Sequence, residues 1–557
     1  MDGPDQRPGN EWTIQQPAAA GVGAGITGSD APAGEPRPRW LVPALAGLFI
    51  LVVLVSGWIC DDAYIIYRVA DNAVNGFGLR WNVVERVQVY TCPLWTLLFT
   101  GVYWLTREAY FTGLALSIAV SLAAFWLVVG RGALTAWGVV VAGLVLTVSK
   151  AFVDYSTSGL ENPLSNLLVG VFALRVLTPD GEGQGNDRRV LAISLLASLL
   201  ALTRMDLGLV AAPVLAYELI RSRRWRTAGV MALGQTPLAL WCLFALVYYG
   251  FVFPNTAYAK LNSDWPAHLL ARQGLVYLLN SLVWDPVTLL TIALGIACGV
   301  WAAAHRRWPA ACLALGAVFY LAYIVKIGGD FMSGRFLTAP LVVSLILLLR
   351  SAPALPRGVW IGTAVGAAAL GLVVPRSPIR NTVAYGDRHL AIEEGKQWGG
   401  VTDERRFYAF GLSVLDLVYE PRRQFHITRS PVMEQYAQIP PGTVLVAPNI
   451  GIRGYATGPQ VHHVDVLALA DPLLARLLPL SRTQWRAGHL PRAIPVGYVE
   501  GLESGQNLIA DPDLAQYYDR LCVITRGPIW SGERWRTILK MHLGAYDGLI
   551  HHDRYRE

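Results

Sequence analysis

From residue 40 to about residue 375 the chain alternates long apolar runs with short polar joints. Runs of roughly 20 apolar residues match the thickness of a bilayer core. The pattern predicts membrane-crossing helices over 40–59, 93–106, 109–130, 133–149, 162–178, 190–203, 207–220, 228–250, 284–304, 309–326, 338–349 and 359–374. The segments 190–203 and 207–220 are short for a full crossing and are expected to form a shallow hairpin around Thr203-Arg204-Met205-Asp206. Residues 1–39 carry no apolar run and are rich in Gly, Pro and Ala, which predicts a disordered cytoplasmic tail rather than a signal peptide.

After residue 375 the pattern changes. Pro441-Gly442-Thr443-Val444-Leu445-Val446-Ala447 reads as a turn and a buried strand, Val461 to Leu467 as a second strand, and Asp471 with Pro472 as a helix start. The expected architecture is a multi-pass α-helical membrane protein, with a transmembrane domain over 40–375 that includes an outer loop over 60–92, and a C-terminal soluble α/β or α+β domain over 376–557.

Charge orients this plan. Arg188 and Arg189, the run from Arg221 to Arg226, His305 to Arg307, and Arg350 with Arg357 lie in alternate joints and should be cytoplasmic. The joints 150–162, 251–275 and 327–337, and everything after 375, then lie outside. Three crossings between 93 and 149 would violate this, so 93–106 is expected to lie flat at the interface, leaving about 11 spans. The net charge of +7 belongs to these arginines and does not imply nucleic acid; only 15% of the 557 residues are charged, against about 25% in soluble proteins. Cys60 and Cys92 flank one loop and either pair or stand as unrelated thiols.

The joints carry the candidate chemistry. Asp61 and Asp62, in Cys60-Asp61-Asp62-Ala63-Tyr64-Ile65-Ile66-Tyr67-Arg68, stand where a span meets the outer surface. Ionisable groups at that depth are costly and usually functional, although Asp also caps helices. One carboxylate can take a proton from an attacking hydroxyl; a second can orient the first, hold a sugar hydroxyl or bind a divalent metal. Three further joints are compact and polar: Asp154 to Pro163 with Glu161 and Asn162, Pro254 to Lys260, and Gly328 to Phe336 with Asp330 and Arg335. Together with the aspartates they can line one cavity. Lys260, Arg335 and Arg204 can hold a phosphate as its ester bond breaks, or can snorkel to lipid headgroups. Tyr64 and Arg68 are further candidate donor ligands. Glu85 and Arg86 are hydroxyl ligands or a loop salt bridge; Trp81 and Tyr90 are sugar platforms or interface anchors. Trp485, His489 and Arg492 offer a ring and cations to an acceptor, or dock the C-terminal third. His462, His463 and Asp465 are a weak metal candidate, since adjacent strand residues face opposite ways.

The string DDAYIIYRVADNAVNGFGLRWNVVERVQVYTCPLW, followed by STSGLENP, PNTAYAK and GGDFMSGRF, resembles the GT-C membrane glycosyltransferases, and most of all the branch of actinobacterial terminal arabinofuranosyltransferases. GIRGYATGPQVHHVDVLALADPLLARL, WRAGHLPRAIPVGY and YYDRLCVITRGP extend the resemblance, which covers about residues 55–545. It implies an enzyme that moves a sugar, arabinofuranose by implication, from a polyprenyl-phosphate donor to an arabinan-like cell-envelope glycan. An acidic residue of the first outer loop would be the base, which matches Asp61 and Asp62. The chain departs from mycobacterial members, in which a glycine follows the Asp pair and a Thr-Ser run stands in place of Tyr90-Thr91-Cys92-Pro93. A transferase using a polyprenyl-phosphate hexose such as mannose, acting on a protein or lipid, is the alternative. A transporter would show related halves or interrupted helices at mid-membrane, and neither is visible; a membrane-anchored binding protein would need one span.

Overall fold

The computed structural model describes residues 37–179, 186–351, 356–380, 385–419, 431–481 and 486–556. The expected disordered tail therefore lies, but for residues 37–39, outside the described residues, as does Trp485.

The apolar runs are helices, and their ends follow from local sequence. Proline occupies the first turn at Pro93–Thr106, Pro286–Ala304 and Trp308–Lys326, where its missing N–H costs nothing. The Glu108 carboxylate accepts from the backbone N–H of Tyr110 at 2.9 Å and caps Ala109–Leu127. Among the described residues, Ala109–Gly132, Pro286–Ala304 and Trp308–Lys326 are long and apolar enough to cross a membrane by themselves. A fourth candidate is broken. The run expected over 228–250 is two helices, Trp225–Gly234 and Thr236–Tyr249, bent by 54°, because Pro237 removes a helical N–H at the junction. Leu41–Val55, Ala136–Val148, Asn162–Leu177 and Arg357–Val373 are apolar but shorter. The joint 251–275 also holds more structure than expected: Ala267–Trp284 is an 18-residue helix whose His268 and Arg272 interrupt the apolar run.

Small residues let the helices approach closely, as they do in membrane bundles. A Cβ on Gly295 would lie 2.4 Å from the Cα of Ser344, and one on Gly316 would lie 2.2 Å from the Val210 carbonyl oxygen. Asn186–Thr203 and Gly208–Ser222 form the expected hairpin, joined through a one-turn 3-10 helix at Met205–Leu207, but it is not shallow: the two helices have 18 and 15 residues. Five helices, Asn162–Leu177, Asn186–Thr203, Gly208–Ser222, Trp308–Lys326 and Thr338–Ser351, run between one end of the bundle and the other. At 1.5 Å per residue they are about 21–28 Å long, close to the apolar thickness of a bilayer.

The C-terminal third holds both expected strands, β1 (Val444–Ala447) and β2 (His462–Asp465). They pair in parallel, with Gly451–Thr457 as the helical crossover. Asp471 caps as expected, accepting from Leu473 and Leu474 N–H at 2.9 and 2.8 Å, but the segment it caps is one 3-10 turn at Leu474–Arg476 rather than an α-helix. This third does not keep a core to itself. Leu473, Leu474, Tyr517 and Leu521 pack in one cluster with Phe251 and Ala259, which come from the 251–275 joint.

Candidate active site

The joints meet at one end of the bundle. A cavity of about 240 Å3 is lined by Glu161, Arg204, Asp206, Lys260, Asp330 and Arg335, with Thr91, Thr256, Ala487 and Gly488 among the rest of the wall. All three candidate phosphate ligands thus face one space, although they differ in how far they are already engaged.

Arg204 is held by acids. Its Nε lies 3.0 Å from Asp206 Oδ1 and its Nη1 3.2 Å from Glu161 Oε1, and it stacks 4.3 Å over the Phe336 ring. Glu161 also accepts from Arg335 Nη2 at 3.0 Å. Burial would raise the Glu161 carboxyl, but Arg335 and Arg204 outweigh it and hold the group below its ordinary value. Arg335 keeps one side less committed: Asp330 Oδ2 is 3.7 Å away, and its Nε is buried without an acceptor among the described residues. Lys260 is exposed and has no carboxylate partner among the described residues. Its side chain runs beside Gly488, at φ +70°, where a Cβ would sit 3.0 Å from Lys260 Cε.

The two aspartates separate sharply. They open the amphipathic helix Asp61–Val74, whose apolar side is buried. Asp61 accepts from the backbone N–H of Gly451 at 3.0 Å and of Ile452 at 2.8 Å, so both its oxygens tie this helix to the C-terminal third. Burial, opposed by these N–H groups, pushes its carboxyl up to about 6. Asp62 makes no hydrogen bond or ion pair among the described residues. Burial raises its carboxyl; Arg335 and Lys260 lower it, and Asp330 and Glu161 raise it. All four of those neighbours line the cavity.

No family model matches the chain. Two curated relatives do. A terminal beta-(1->2)-arabinofuranosyltransferase of Mycobacterium tuberculosis is 26% identical over 542 residues, covering 82% of this chain and 84% of the relative. The enzyme of the same name from Corynebacterium glutamicum is 26% identical over 529 residues, covering 86% and 73%. The chain is a glycosyltransferase. It resembles the terminal arabinofuranosyltransferases over most of its length, as its motifs implied. Two crystal structures of ArnT from Cupriavidus metallidurans also align. One is bound to undecaprenyl phosphate (TM-score 0.46, 15% identity, 75% of this chain and 84% of that one) and one is in the apo state (0.48, 17%, 77% and 86%).

The remaining candidates of this glycosyltransferase lie elsewhere. Arg68, 2% exposed, donates from Nε to the Trp81 carbonyl at 3.1 Å and from Nη2 to that of Val461 at 2.9 Å, and also reaches the Gly454 carbonyl. It is a bolt between the 60–92 loop and the C-terminal third, not a cavity group. Tyr64 is buried against Tyr67 and Tyr455. Glu85 and Arg86 form no loop salt bridge with each other: Glu85 pairs outside the loop with Arg526 at 3.3 Å, and Arg86 donates to the Tyr248 carbonyl at 3.1 Å. Trp81 and Tyr90 are neither platforms nor anchors: both are buried, Trp81 under the Arg68 guanidinium at 4.6 Å and Tyr90 bonded to Tyr249 at 2.8 Å. Asn162 holds the Arg335 carbonyl at 3.0 Å and so braces the cavity from behind.

In the C-terminal third, Arg492 donates to the carbonyls of Leu477 at 2.8 Å and Ala259 at 2.7 Å. His489 packs edge-on to Phe331 at 4.4 Å, and burial lowers its ring to about 3. These two dock the segment; Ala487 and Gly488, between Arg486 and His489, are what reach the cavity wall. Cys60 and Cys92 are both buried, unpaired thiols.

Asp206, Thr91 and Thr256 are among the wall residues not singled out as ligands from sequence. Asp206 fixes Arg204, and its signal was its place two residues on. Thr91 lies in the departing string Tyr90-Thr91-Cys92-Pro93 and Thr256 in the joint Pro254 to Lys260, but neither string marks the threonine as a ligand. Glu404 was missed too. It is buried beside Arg486 (3.4 Å), and its carboxyl is pushed up to about 8 by burial, against Arg486 and with Asp62 adding to the rise. Both Asp61 oxygens already accept from main-chain N–H groups. Among the described residues no three His, Cys, Asp or Glu stand together as ligands.

Proposed function

We propose that this membrane glycosyltransferase moves arabinofuranose from a polyprenyl-phosphate donor to a hydroxyl of a cell-envelope glycan, with Asp62 as the base. The observation that carries the reading is Asp62 itself: a carboxylate with no partner among the described residues, whose electrostatic neighbours Arg335, Lys260, Asp330 and Glu161 all line the cavity. The acceptor oxygen attacks the anomeric carbon and its proton passes to Asp62. The bond from that carbon to the phosphate oxygen breaks, and the lipid phosphate leaves with both electrons of the bond. Lys260 and the uncommitted side of Arg335 stabilise the phosphate charge that develops. Arg204 keeps Arg335 and Glu161 in place and does not itself meet the donor. Asp330 and Thr256 are near enough to the cavity to meet sugar hydroxyls.

The sugar assignment rests on the likeness to the two arabinofuranosyltransferases. The departure at Tyr90-Thr91-Cys92-Pro93 favours the second reading, a polyprenyl-phosphate hexose transferase, because Thr91 is part of the cavity wall. Purified protein incubated with polyprenyl-phosphoryl arabinofuranose or with the mannose analogue, each with a synthetic arabinan acceptor, separates them. Transfer from the arabinose donor alone is expected; transfer from the mannose donor alone overturns the sugar. The charge rule supports a cavity and C-terminal third on the extracytoplasmic side of the plasma membrane, with membrane lipids around the bundle. A periplasm-only reporter fused after Glu557 should be active, and an inactive one reverses the topology.

A further inference from the structure

The five helices that run the length of the bundle also enclose a second cavity, at the end away from Asp62. Its volume is about 590 Å3, and Arg189, Arg221, Arg307 and Arg350 line it. We propose that it binds the phosphate group of an anionic membrane lipid. This does not depend on which sugar the enzyme transfers.

Each guanidinium comes from a different element. Arg189 lies in Asn186–Thr203, Arg221 in Gly208–Ser222, Arg350 at the end of Thr338–Ser351, and Arg307 just ahead of Trp308–Lys326. Arginines that merely mark a cytoplasmic joint reach outward to water and headgroups. These converge on one space, and Arg189 is 7% exposed. Glu218 pairs with Arg189 at 3.4 Å and with Arg221 at 3.1 Å, which orients those two. The other two are not neutralised in this way. Arg350 donates Nη2 to the Arg131 carbonyl at 2.7 Å, and its Nε is buried with no acceptor among the described residues. Arg307 lies over the Trp301 ring at 4.9 Å and has no carboxylate partner among the described residues. A planar donor left without an acceptor beside a second free guanidinium is the arrangement that takes phosphate oxygens.

The other walls choose the source of that phosphate. Val176 and Pro309 are part of the lining, and their alkyl surfaces suit the glycerol and first methylenes of a lipid, not a hydrated free ion. The anionic leaflet adjoining such a site supplies the ligand at high local concentration.

The test uses the full-length protein in detergent, with phosphatidylglycerol, phosphatidylcholine or inorganic phosphate added. Lipid retention is read by native mass spectrometry and stability by thermal shift. Phosphatidylglycerol is expected to be retained about tenfold over phosphatidylcholine and to raise Tm, with no effect of inorganic phosphate. The paired variant R307Q/R350Q should lose that preference while still transferring sugar. Equal retention of the two lipids, or a variant that keeps the preference, overturns the site. An effect matched by inorganic phosphate alone overturns its assignment to lipid. If the variant does not fold, the wild-type comparison of the two lipids still decides.

Discussion

Along the seam between the helical bundle and the C-terminal third, Arg68, Arg86 and Arg492 each donate to main-chain carbonyls. In the cavity a few residues away, Arg335 and Lys260 face carboxylates and open space. The residue types are the same and the uses differ. A guanidinium whose donors are all met by carbonyls is a fastener, because those carbonyls would otherwise be buried and unpaired. A cation with a donor still unmet, beside an unbonded carboxylate, has capacity left for a ligand. Asp61 and Asp62 show the same contrast one residue apart: the first caps main-chain N–H groups of the C-terminal third, and the second has no partner among the described residues.

The comparison breaks first at Asp62. Asp62→Asn keeps shape and removes the proton acceptor, and general-base catalysis contributes about 10²–10⁴-fold. Initial-rate transfer should fall by that factor with unchanged thermal stability. The seam should respond in the opposite way. Arg68→Ala takes a donor from the carbonyls of Trp81, Gly454 and Val461; the first two keep Asn72 and Thr457, and the loss at Val461 costs about 1–3 kcal/mol. Limited proteolysis should then release the C-terminal third, and a protected Arg68→Ala protein would remove the fastener role.

Lys260→Ala is expected to be milder. It removes one charge-assisted contact to a phosphate, about 1.5–3 kcal/mol, and should raise KM for the lipid donor more than it lowers kcat. A change confined to acceptor KM would move Lys260 to the sugar side. The smallest effect is on pH. Asp62 must be ionised to act as base, and its carboxyl is raised by burial, so activity falls as pH drops through a value above the ordinary carboxylate range. Lys260 lowers that carboxyl. Its removal therefore raises the carboxyl further and shifts the acid limb of the rate profile to higher pH. An unmoved limb in Lys260→Ala would separate Lys260 from Asp62.

Much of the cavity was legible because membrane topology gathers joints. Alternate polar joints between apolar runs must emerge on one side, so Asp62, Glu161, Arg204, Lys260, Asp330 and Arg335 could be read as neighbours before any coordinates. The fasteners were not legible. Nothing in the string around Arg68 or Arg492 says that carbonyls 386 and 233 residues away will meet them. The same limit hid the shared core, in which Phe251 and Ala259 pack into the C-terminal third. Hydropathy also hides where a helix breaks. Trp225–Tyr249 reads as one run until Pro237 bends it, and Asn162–Leu177 and Thr338–Ser351 are buried within the bundle at 16 and 14 residues, so run length alone is a poor count of spans.

The central claim is that the adjacent aspartates divide their labour, one holding the C-terminal third and one taking the proton. It is tested most directly by preparing Asp61→Asn and Asp62→Asn side by side and measuring transfer and protease resistance on the same samples. The account predicts a crossed result: Asp62→Asn resists protease like the wild type and has lost transfer, whereas Asp61→Asn loosens the C-terminal third and keeps a measurable fraction of transfer. Full transfer by an intact Asp62→Asn protein, or complete loss in a protease-resistant Asp61→Asn protein, would contradict it.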